Sequence, residues 1–259
     1  MPKRAITVLT LACSIAVYVC CEAQSSASPP KSGFDFLTPE TQRLQNDEFA
    51  NPGMLWIDIG MKLWKQTELS TGKSCESCHA AVNTMHGVAA RFPKHSSSVR
   101  RVINLEQQIN LCRTDRLKSK PWAYESQELL AITALVSHES KGELINVTID
   151  GQAAASFERG RRFFYQRRGQ LNLSCANCHE QNAGKRLHGE TISQGQTSGF
   201  PIYRQLWQTL ASSHRMFAWC NEATRAEPYP LGSQEYVDLE LYERWRGRGL
   251  KLESPAVRR

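Results

Sequence analysis

Two copies of one pentapeptide constrain this chain more than any other feature: CESCH at 75–79 and CANCH at 175–179. The pattern C-x-x-C-H is the attachment signature of a c-type haem. Its two thiols can form thioethers with the porphyrin vinyl groups, and the adjacent histidine can bind the iron from one face. A single copy could arise by chance, whereas two copies in a short chain favour a dihaem cytochrome c. The predicted haem attachment residues are Cys75, Cys78, Cys175 and Cys178, and the predicted proximal iron ligands are His79 and His179.

The N-terminal segment has the pattern of an export signal. Lys3 and Arg4 precede an apolar run over residues 5–20, and Ala23 closes a stretch typical of a cleavage site. We therefore expect residues 1–23 to be a signal peptide and the mature protein to lie in the periplasm without a membrane span. The net charge of +7 then favours an anionic ligand or an acidic partner over nucleic acid. Part of that charge can also balance the haem propionates.

The two halves of the chain repeat one plan. Gly60 and Gly160 lie 100 residues apart, as do the two haem motifs, and apolar residues recur at helical spacing around both glycines. The serine-led segments SQE at 126–128 and SQE at 233–235 each predict a helix start. We interpret the paired Trp64 and Phe164 as core residues that pack the first helix of each half against its last. The expected fold is mainly α: two tandem cytochrome c-like helical domains with extensive loops, over 48–148 and 149–259, preceded by a linker over 24–47.

Two cysteines remain after the leader and the motifs are set aside. Cys112 and Cys220 each follow a Phe-Pro pair by the same interval, one in each half. A thiolate can bind haem iron, so a matching cysteine per repeat predicts one distal ligand per haem. The competing interpretation is a Cys112–Cys220 disulfide, which an oxidising compartment permits. Other candidate distal ligands, none of which recurs at the equivalent repeat position, are Met85, His86, His95, His138, His188, His214 and Met216.

The second half resembles a known family. The blocks SQGQ at 193–196, FPIYR at 200–204, WQTL at 207–210 and RAEP at 225–228 are similar to those of SoxA, and YVDLELY at 236–242 and PAVRR at 255–259 continue the match. SoxA is the dihaem cytochrome subunit of the thiosulfate-oxidising SoxAX complex. The resemblance implies ligation of one haem by His79 with Cys112 and of the other by His179 with Cys220. It also implies that Cys220 is catalytic and that Arg246 and Arg215 bind the anionic substrate.

The resemblance further implies a reaction and its partners. Thiosulfate would be joined oxidatively to a cysteine of the SoxYZ carrier protein, and electrons would pass through two covalently bound c-type haems to SoxX, a cytochrome that forms a heterodimer with this chain. Two other functions stay open at this point. One is a thiosulfate dehydrogenase that forms tetrathionate, and the other is a plain dihaem electron carrier. A plain carrier predicts distal methionine or histidine, and no such residue is repeated.

Overall fold

The first half of the chain is built on two helices that pack against each other, α2 (Met54–Lys65) and α5 (Gln127–His138). The computed structural model describes Met1 and residues 29–259. Around this pair lie a short N-terminal helix, the helix of the first haem motif and a helix that carries Cys112: α1 (Pro39–Asn46), α3 (Cys75–His79) and α4 (Leu105–Asp115). An antiparallel hairpin of β1 (Lys94–Ser96) and β2 (Arg101–Ile103) precedes α4.

The second half repeats this order of elements. Helix α6 (Ala154–Tyr165) packs on α9 (Gln234–Arg246), α7 (Cys175–His179) holds the second motif, and α8 (Ser213–Ala223) carries Cys220. The hairpin also recurs, as β5 (Ile202–Arg204) and β6 (Thr209–Ala211). Two features belong to this half: a small hairpin of β3 (Arg186–Leu187) and β4 (Glu190–Thr191), and a C-terminal strand, β7 (Ala256–Arg258), that pairs in parallel with β5.

The predicted mainly α tandem fold is confirmed, but the strands and helix α1 did not come out of the sequence patterns. The domain limits 48–148 and 149–259 stay predictions. Residues 2–28 lie outside the described part of the chain, so the predicted leader and the first part of the linker, with Cys13, Cys20 and Cys21, have no structural description here. Within the described part, no helix is long and apolar enough to cross a membrane.

Serine and asparagine side chains cap the starts of two longer helices in each half, α4 and α5 in the first and α8 and α9 in the second. The hydroxyl of Ser126 accepts a hydrogen bond from the Leu129 amide at 3.2 Å, and Ser233 accepts one from the Tyr236 amide at 3.4 Å. Each bond satisfies an amide that has no partner inside its helix. The two predicted helix starts are therefore confirmed, and the same kind of cap opens α4 at Asn104 and α8 at Ser212.

Glycine permits the close helix crossing in each half. A Cβ on Gly60 would lie 2.6 Å from the carbonyl oxygen of Ala131, and a Cβ on Gly160 would lie closer still to that of Asp238. Only a residue without a side chain allows backbones to approach in this way. Trp64 and Phe164 follow these glycines and are buried, with 3% and 0% exposure. This confirms the prediction that they are core residues.

The C-terminal strand ties the two ends of the described chain together. The Gln45 side-chain oxygen accepts hydrogen bonds from the Val257 amide at 3.1 Å and the Arg258 guanidinium at 2.7 Å. The Asn51 amide group donates to the Pro255 carbonyl oxygen at 3.0 Å. Because these residues are buried, the contacts fix the N-terminal segment against the second half.

A buried polar cluster joins the two halves between α4 and α9. His214 is fully buried, its ring stacks on Tyr124 with centroids 5.5 Å apart, and its Nε2 lies 3.1 Å from the Glu240 carboxylate. Asn104 donates to Glu240 at 3.2 Å. Burial, reinforced by the charge of Glu240, raises the pKa of Glu106 to about 8. This cluster gives His214 a structural role.

We predict that replacing either crossing glycine by alanine destabilises the protein by about 1–3 kcal/mol, the usual cost of an added methyl group in a tightly packed region. The measurement is the urea unfolding midpoint of haem-loaded Gly60→Ala and Gly160→Ala. Arg161→Ala, an exposed change one residue from the second glycine, is the matched control. Midpoints equal to that of the control would show that the crossing has room for a side chain.

We also predict that stability falls as pH rises from about 5 to about 8, and that Glu106→Gln reduces this slope. The Glu106 carboxyl keeps its proton in the folded state up to about pH 8, whereas the unfolded chain releases it near pH 4.5. Folding is therefore favoured at low pH by this group, and the effect can reach about 1.4 kcal/mol per pH unit. Unfolding curves at four pH values would measure it, with the exposed Glu128→Gln as control. Parallel pH profiles for the wild type and Glu106→Gln would contradict the prediction.

Candidate functional site

Both haem motifs form single helical turns with the same cap. In α3 the Ser74 hydroxyl accepts from the Ser77 amide at 3.1 Å, and the Ser77 hydroxyl accepts from the Ser74 amide at 2.8 Å. In α7 the side chain of Asn177 takes the place of the Ser77 hydroxyl and accepts a hydrogen bond from the Ser174 amide at 2.9 Å. A helical turn that begins at the first cysteine places the second cysteine and the histidine, three and four residues later, on the same side of the helix. That arrangement fits two thioether bonds and one iron ligand.

The histidine of the second motif is oriented by a passing loop. The Nδ1 atom of His179 lies 2.9 Å from the Ser193 carbonyl oxygen, which leaves Nε2 for another partner. Gly195 follows with φ +77°, and a Cβ there would come within 2.8 Å of the His179 ring. Metal-binding histidines are commonly held in this way through their other ring nitrogen. The loop over residues 193–195 thus fits an iron-ligating role for His179.

The histidine of the first motif has a different support. Its ring lies 5.9 Å from the ring of Trp64, and the Trp64 indole donates to the carbonyl oxygen of Ala80 at 3.0 Å. The core tryptophan therefore fixes the backbone directly after His79. Burial in the same region raises the pKa of Cys75 to about 11, and the neighbouring Cys112 adds to that shift.

Each leftover cysteine lies beside the motif of its own half. Cys112 and Cys220 are free thiols in the last two turns of α4 and α8, and no disulfide joins them. Burial raises the pKa of Cys220 to about 12, with Glu243 and Cys178 as further causes. Cys220 in turn helps to raise the pKa of Cys175. A strong local positive charge is needed to stabilise the thiolate of a thiol buried in this way, and a haem iron would supply that charge.

These donors fit a haem in each half. Every half brings two attachment thiols, one imidazole and one further thiol to the same place, and the four side chains come from two separate segments. No cluster of three acidic, histidine or cysteine side chains in the described chain could hold a bare metal ion. The ligand roles of Cys112 and Cys220 nevertheless stay predictions.

Three of the other candidate distal ligands, His86, His214 and Met216, have partners elsewhere. His86 lies 3.4 Å from Glu143 at the surface, and His214 belongs to the buried polar cluster. Met216 packs against the sheet formed by β5, β6 and β7. His188 lies in the turn of the β3–β4 hairpin, with φ +50°.

The predicted arginines are divided between two places. Arg215 stacks over the ring of Trp207 at 4.4 Å and lies 3.8 Å from Glu125. Arg246 pairs with Glu180 at 3.3 Å and donates to the Gln194 carbonyl oxygen at 2.7 Å. Arg246 therefore secures the loop that orients His179, and its role in substrate binding stays a prediction.

A third arginine, Arg204, was missed by sequence reasoning. Its side chain is buried beside the rings of Trp207 and Trp219, with the guanidinium carbon 5.6 and 5.3 Å from their centroids, and its positive charge favours the thiolate of Cys220. Glu190 lies 3.5 Å away, and the Nε atom has no hydrogen-bond partner among the described residues. The FPIYR block contained this residue, but sixteen positions separate it from Cys220, and only the pairing of β5 with its neighbours brings it close.

Comparison of the chain with known proteins identifies its family. Residues 59–145 match the model of the SoxA/TsdA cytochrome c domain. The L-cysteine S-thiosulfotransferase subunit SoxA of Rhodovulum sulfidophilum is 42% identical over 229 residues, which cover 88% of this chain and 80% of that relative. The chain belongs to the SoxA family. The SoxA subunit of Paracoccus pantotrophus is 38% identical over 227 residues, covering 88% and 78% of the two chains.

A solved structure agrees with this assignment. The crystal structure of SoxXA from P. pantotrophus aligns with a TM-score of 0.86 at 37% identity, covering 89% of this chain and 87% of that one. The predicted resemblance to SoxA is therefore confirmed. The match to a cytochrome c domain makes haem c the cofactor of this SoxA-family chain.

Proposed function

We propose that this chain is the SoxA subunit of an L-cysteine S-thiosulfotransferase, which joins thiosulfate oxidatively to a cysteine of a SoxYZ carrier protein. The observation that carries this proposal is the position of Cys220: it lies beside the second haem motif and beside the guanidinium of Arg204. The names of the relatives from R. sulfidophilum and P. pantotrophus support the same activity.

The proposal includes two covalently attached haems. Cys75 and Cys78 would attach the first, Cys175 and Cys178 the second, and the irons would be held by His79 with Cys112 and by His179 with Cys220. When bound, haem c accepts and passes on single electrons. The capped motif helices and the oriented His179 support this assignment, because they present the donors that such sites require.

The conjugation is a two-electron oxidation, for which haem c, when bound, would supply the electron acceptor. A bond forms between the carrier sulfur and the outer sulfur of thiosulfate, the S–H bond of the carrier cysteine breaks, and one proton and two electrons leave. The product is a cysteine S-thiosulfonate. Arg204 and Arg215 can bind the thiosulfate dianion by charge-assisted hydrogen bonds, and the ring of Trp207 holds both guanidinium groups in place.

Two electrons must leave the site after each conjugation, so a partner has to receive them. We propose a SoxX cytochrome as that partner, in a heterodimer with this chain. The likeness to the P. pantotrophus SoxXA structure supports it. The export pattern at residues 1–23 supports a periplasmic location for the complex.

We predict that Cys220→Ala abolishes transfer of thiosulfate to the carrier cysteine, whereas Cys112→Ala retains substantial turnover. The reason is that the guanidinium of Arg204 lies beside the second cysteine, whereas Arg113 in the first half is already paired with Glu68. The measurement is the mass of the carrier after reaction with thiosulfate in the presence of SoxX, with intact mass of each variant confirming two haems. Full transfer by Cys220→Ala would refute the catalytic cysteine. Tetrathionate formed without any carrier would instead support a thiosulfate dehydrogenase.

We further predict that Arg204→Gln lowers kcat/KM for thiosulfate by about 10- to 100-fold, the loss expected when a hydrogen-bonded charge is removed from an anion. Arg246→Gln should have a smaller effect on kcat/KM, because that guanidinium is already engaged by Glu180 and Gln194. Arg215→Gln completes the series, and the exposed Arg43→Gln is the control. A larger loss in Arg246→Gln than in Arg204→Gln would place the anion at Arg246.

A further inference from the structure

Each half contains a guanidinium stacked on an aromatic ring next to its distal cysteine. In the first half Arg113, which follows Cys112, lies 3.6 Å from the centroid of the Trp122 ring. It donates to the Glu68 carboxylate at 2.8 Å and to the Lys120 carbonyl oxygen at 3.1 Å. Arg113 is 8% exposed, so these bonds are largely shielded from water.

In the second half the guanidinium comes from the loop before the haem motif, and its partner is the residue that follows the distal cysteine. Arg168 lies 4.5 Å from the centroid of the Tyr229 ring. It donates to the side-chain oxygen of Asn221 at 2.5 Å and to the Glu227 carbonyl oxygen at 2.8 Å. Asn221 follows Cys220 just as Arg113 follows Cys112, and it too is 8% exposed.

The repeat relates these residues one by one. Glu68 and Arg168 are 100 residues apart, the offset of the haem motifs, while Arg113 and Asn221 are 108 apart, the offset of the distal cysteines. The rings at 122 and 229 and the accepting carbonyls at 120 and 227 are each 107 apart, the offset of the serine caps at 126 and 233. The guanidinium therefore lies on the cysteine helix in the first half and in the loop before the motif in the second. The aromatic ring and the accepting carbonyl group occupy equivalent positions in both halves.

Both arrangements join the same two segments. Glu68 and Arg168 lie in the loops that enter the haem motifs, seven residues before the first cysteine, and their partners directly follow the distal cysteines. Further bonds run in parallel: the Ser70 hydroxyl donates to the Leu117 carbonyl oxygen at 3.2 Å, and the Gln170 amide donates to the Arg225 carbonyl oxygen at 3.2 Å. Each set fixes the helix with the distal cysteine against the segment with the proximal histidine.

We propose that the pairs Glu68–Arg113 and Arg168–Asn221 are positioning residues that keep each distal cysteine in place to bind the haem iron. This rests on the proposed ligation by Cys112 and Cys220. A haem iron bound from both faces requires a fixed separation between its two ligands, and here the two ligands of each pair lie on different helices and are more than thirty residues apart in the chain. The two halves use different residues for this pair, yet both join the loop before the haem motif to the residue after the distal cysteine. This indicates that the link between these two segments is what each half retains.

The test uses haem-loaded protein and reads the two haems separately by electron paramagnetic resonance and by the rate at which cyanide displaces the distal thiolate. We expect Arg113→Asn to accelerate displacement at the first haem by about tenfold or more, the effect of losing a hydrogen bond between charged groups, and to leave the second haem unchanged. Arg168→Gln should do the reverse. Arg116→Asn and Arg167→Gln, exposed neighbours, are the controls.

The difference between the two halves allows a second variant that should reverse the effect of Arg113→Asn. The double variant Glu68→Arg with Arg113→Asn gives the first half the pairing of the second, and we expect it to restore slow displacement at the first haem. If Arg113→Asn does not yield haem-loaded protein, Glu68→Gln makes the same comparison, because it keeps the guanidinium on Trp122 and its bond to Lys120.

The outcomes separate this proposal from the one it rests on. A thiolate signal in the wild type with unchanged displacement in both Arg113→Asn and Arg168→Gln would overturn the positioning role alone. Equal acceleration at both haems in a single variant would also overturn it, since that result indicates general destabilisation. A wild type without thiolate signals at either haem would refute the ligation itself and the positioning role with it.

Discussion

The close crossing of two helices at a glycine is the constraint on which each half depends. Helices α2 and α6 lie on α5 and α9 at Gly60 and Gly160, where there is no room for a Cβ. Both α2 and α6 end ten residues before a motif cysteine, so the crossing also sets where the haem motif begins. The distal cysteine then has to be brought to that place from a separate helix. The paired residues after each cysteine make this connection, and they do so in two chemically different ways.

The two halves share this frame but differ in what surrounds the distal cysteine. By the offset of 108 that relates Cys112 to Cys220, the positions of Arg204, Trp207 and Arg215 correspond to Ser96, Val99 and Gln107 in the first half. Trp219 likewise corresponds to Leu111. These four positions of the first half therefore carry neither a guanidinium group nor an aromatic ring, and Arg113, which stacks on Trp122, is already paired with Glu68. In the proposed function both halves bind haem, and only the second half binds a sulfur oxyanion.

Local signals predicted the parts of this structure that local interactions determine. The serine caps at 126 and 233 are formed within four residues, and the motif helices follow from their own pentapeptides. The strand β7 depends on Ile202, more than fifty residues away, and the buried cluster of Asn104, His214 and Glu240 unites three distant segments. No periodicity marks such contacts. Arg204 was missed for that reason, and the contacts of Arg246 with Glu180 and Gln194 could not be predicted from the sequence either.

On helix α8, the residues that pack around Cys220 and the residues that are exposed to solvent lie on different faces. Arg215 and Trp219, four residues apart, share the outer face of the helix. The side chain of Arg215 is 35% exposed, and Trp219 is 37% exposed. Phe217 and Asn221, also four apart, share the inner face and are 6% and 8% exposed. Cys220 lies at the border between these faces. Arg168 secures the inner face through Asn221, while the outer face presents a cation and an aromatic ring to solvent. In the proposed function the anion would therefore reach Cys220 from the outer face and leave the contacts of the inner face in place.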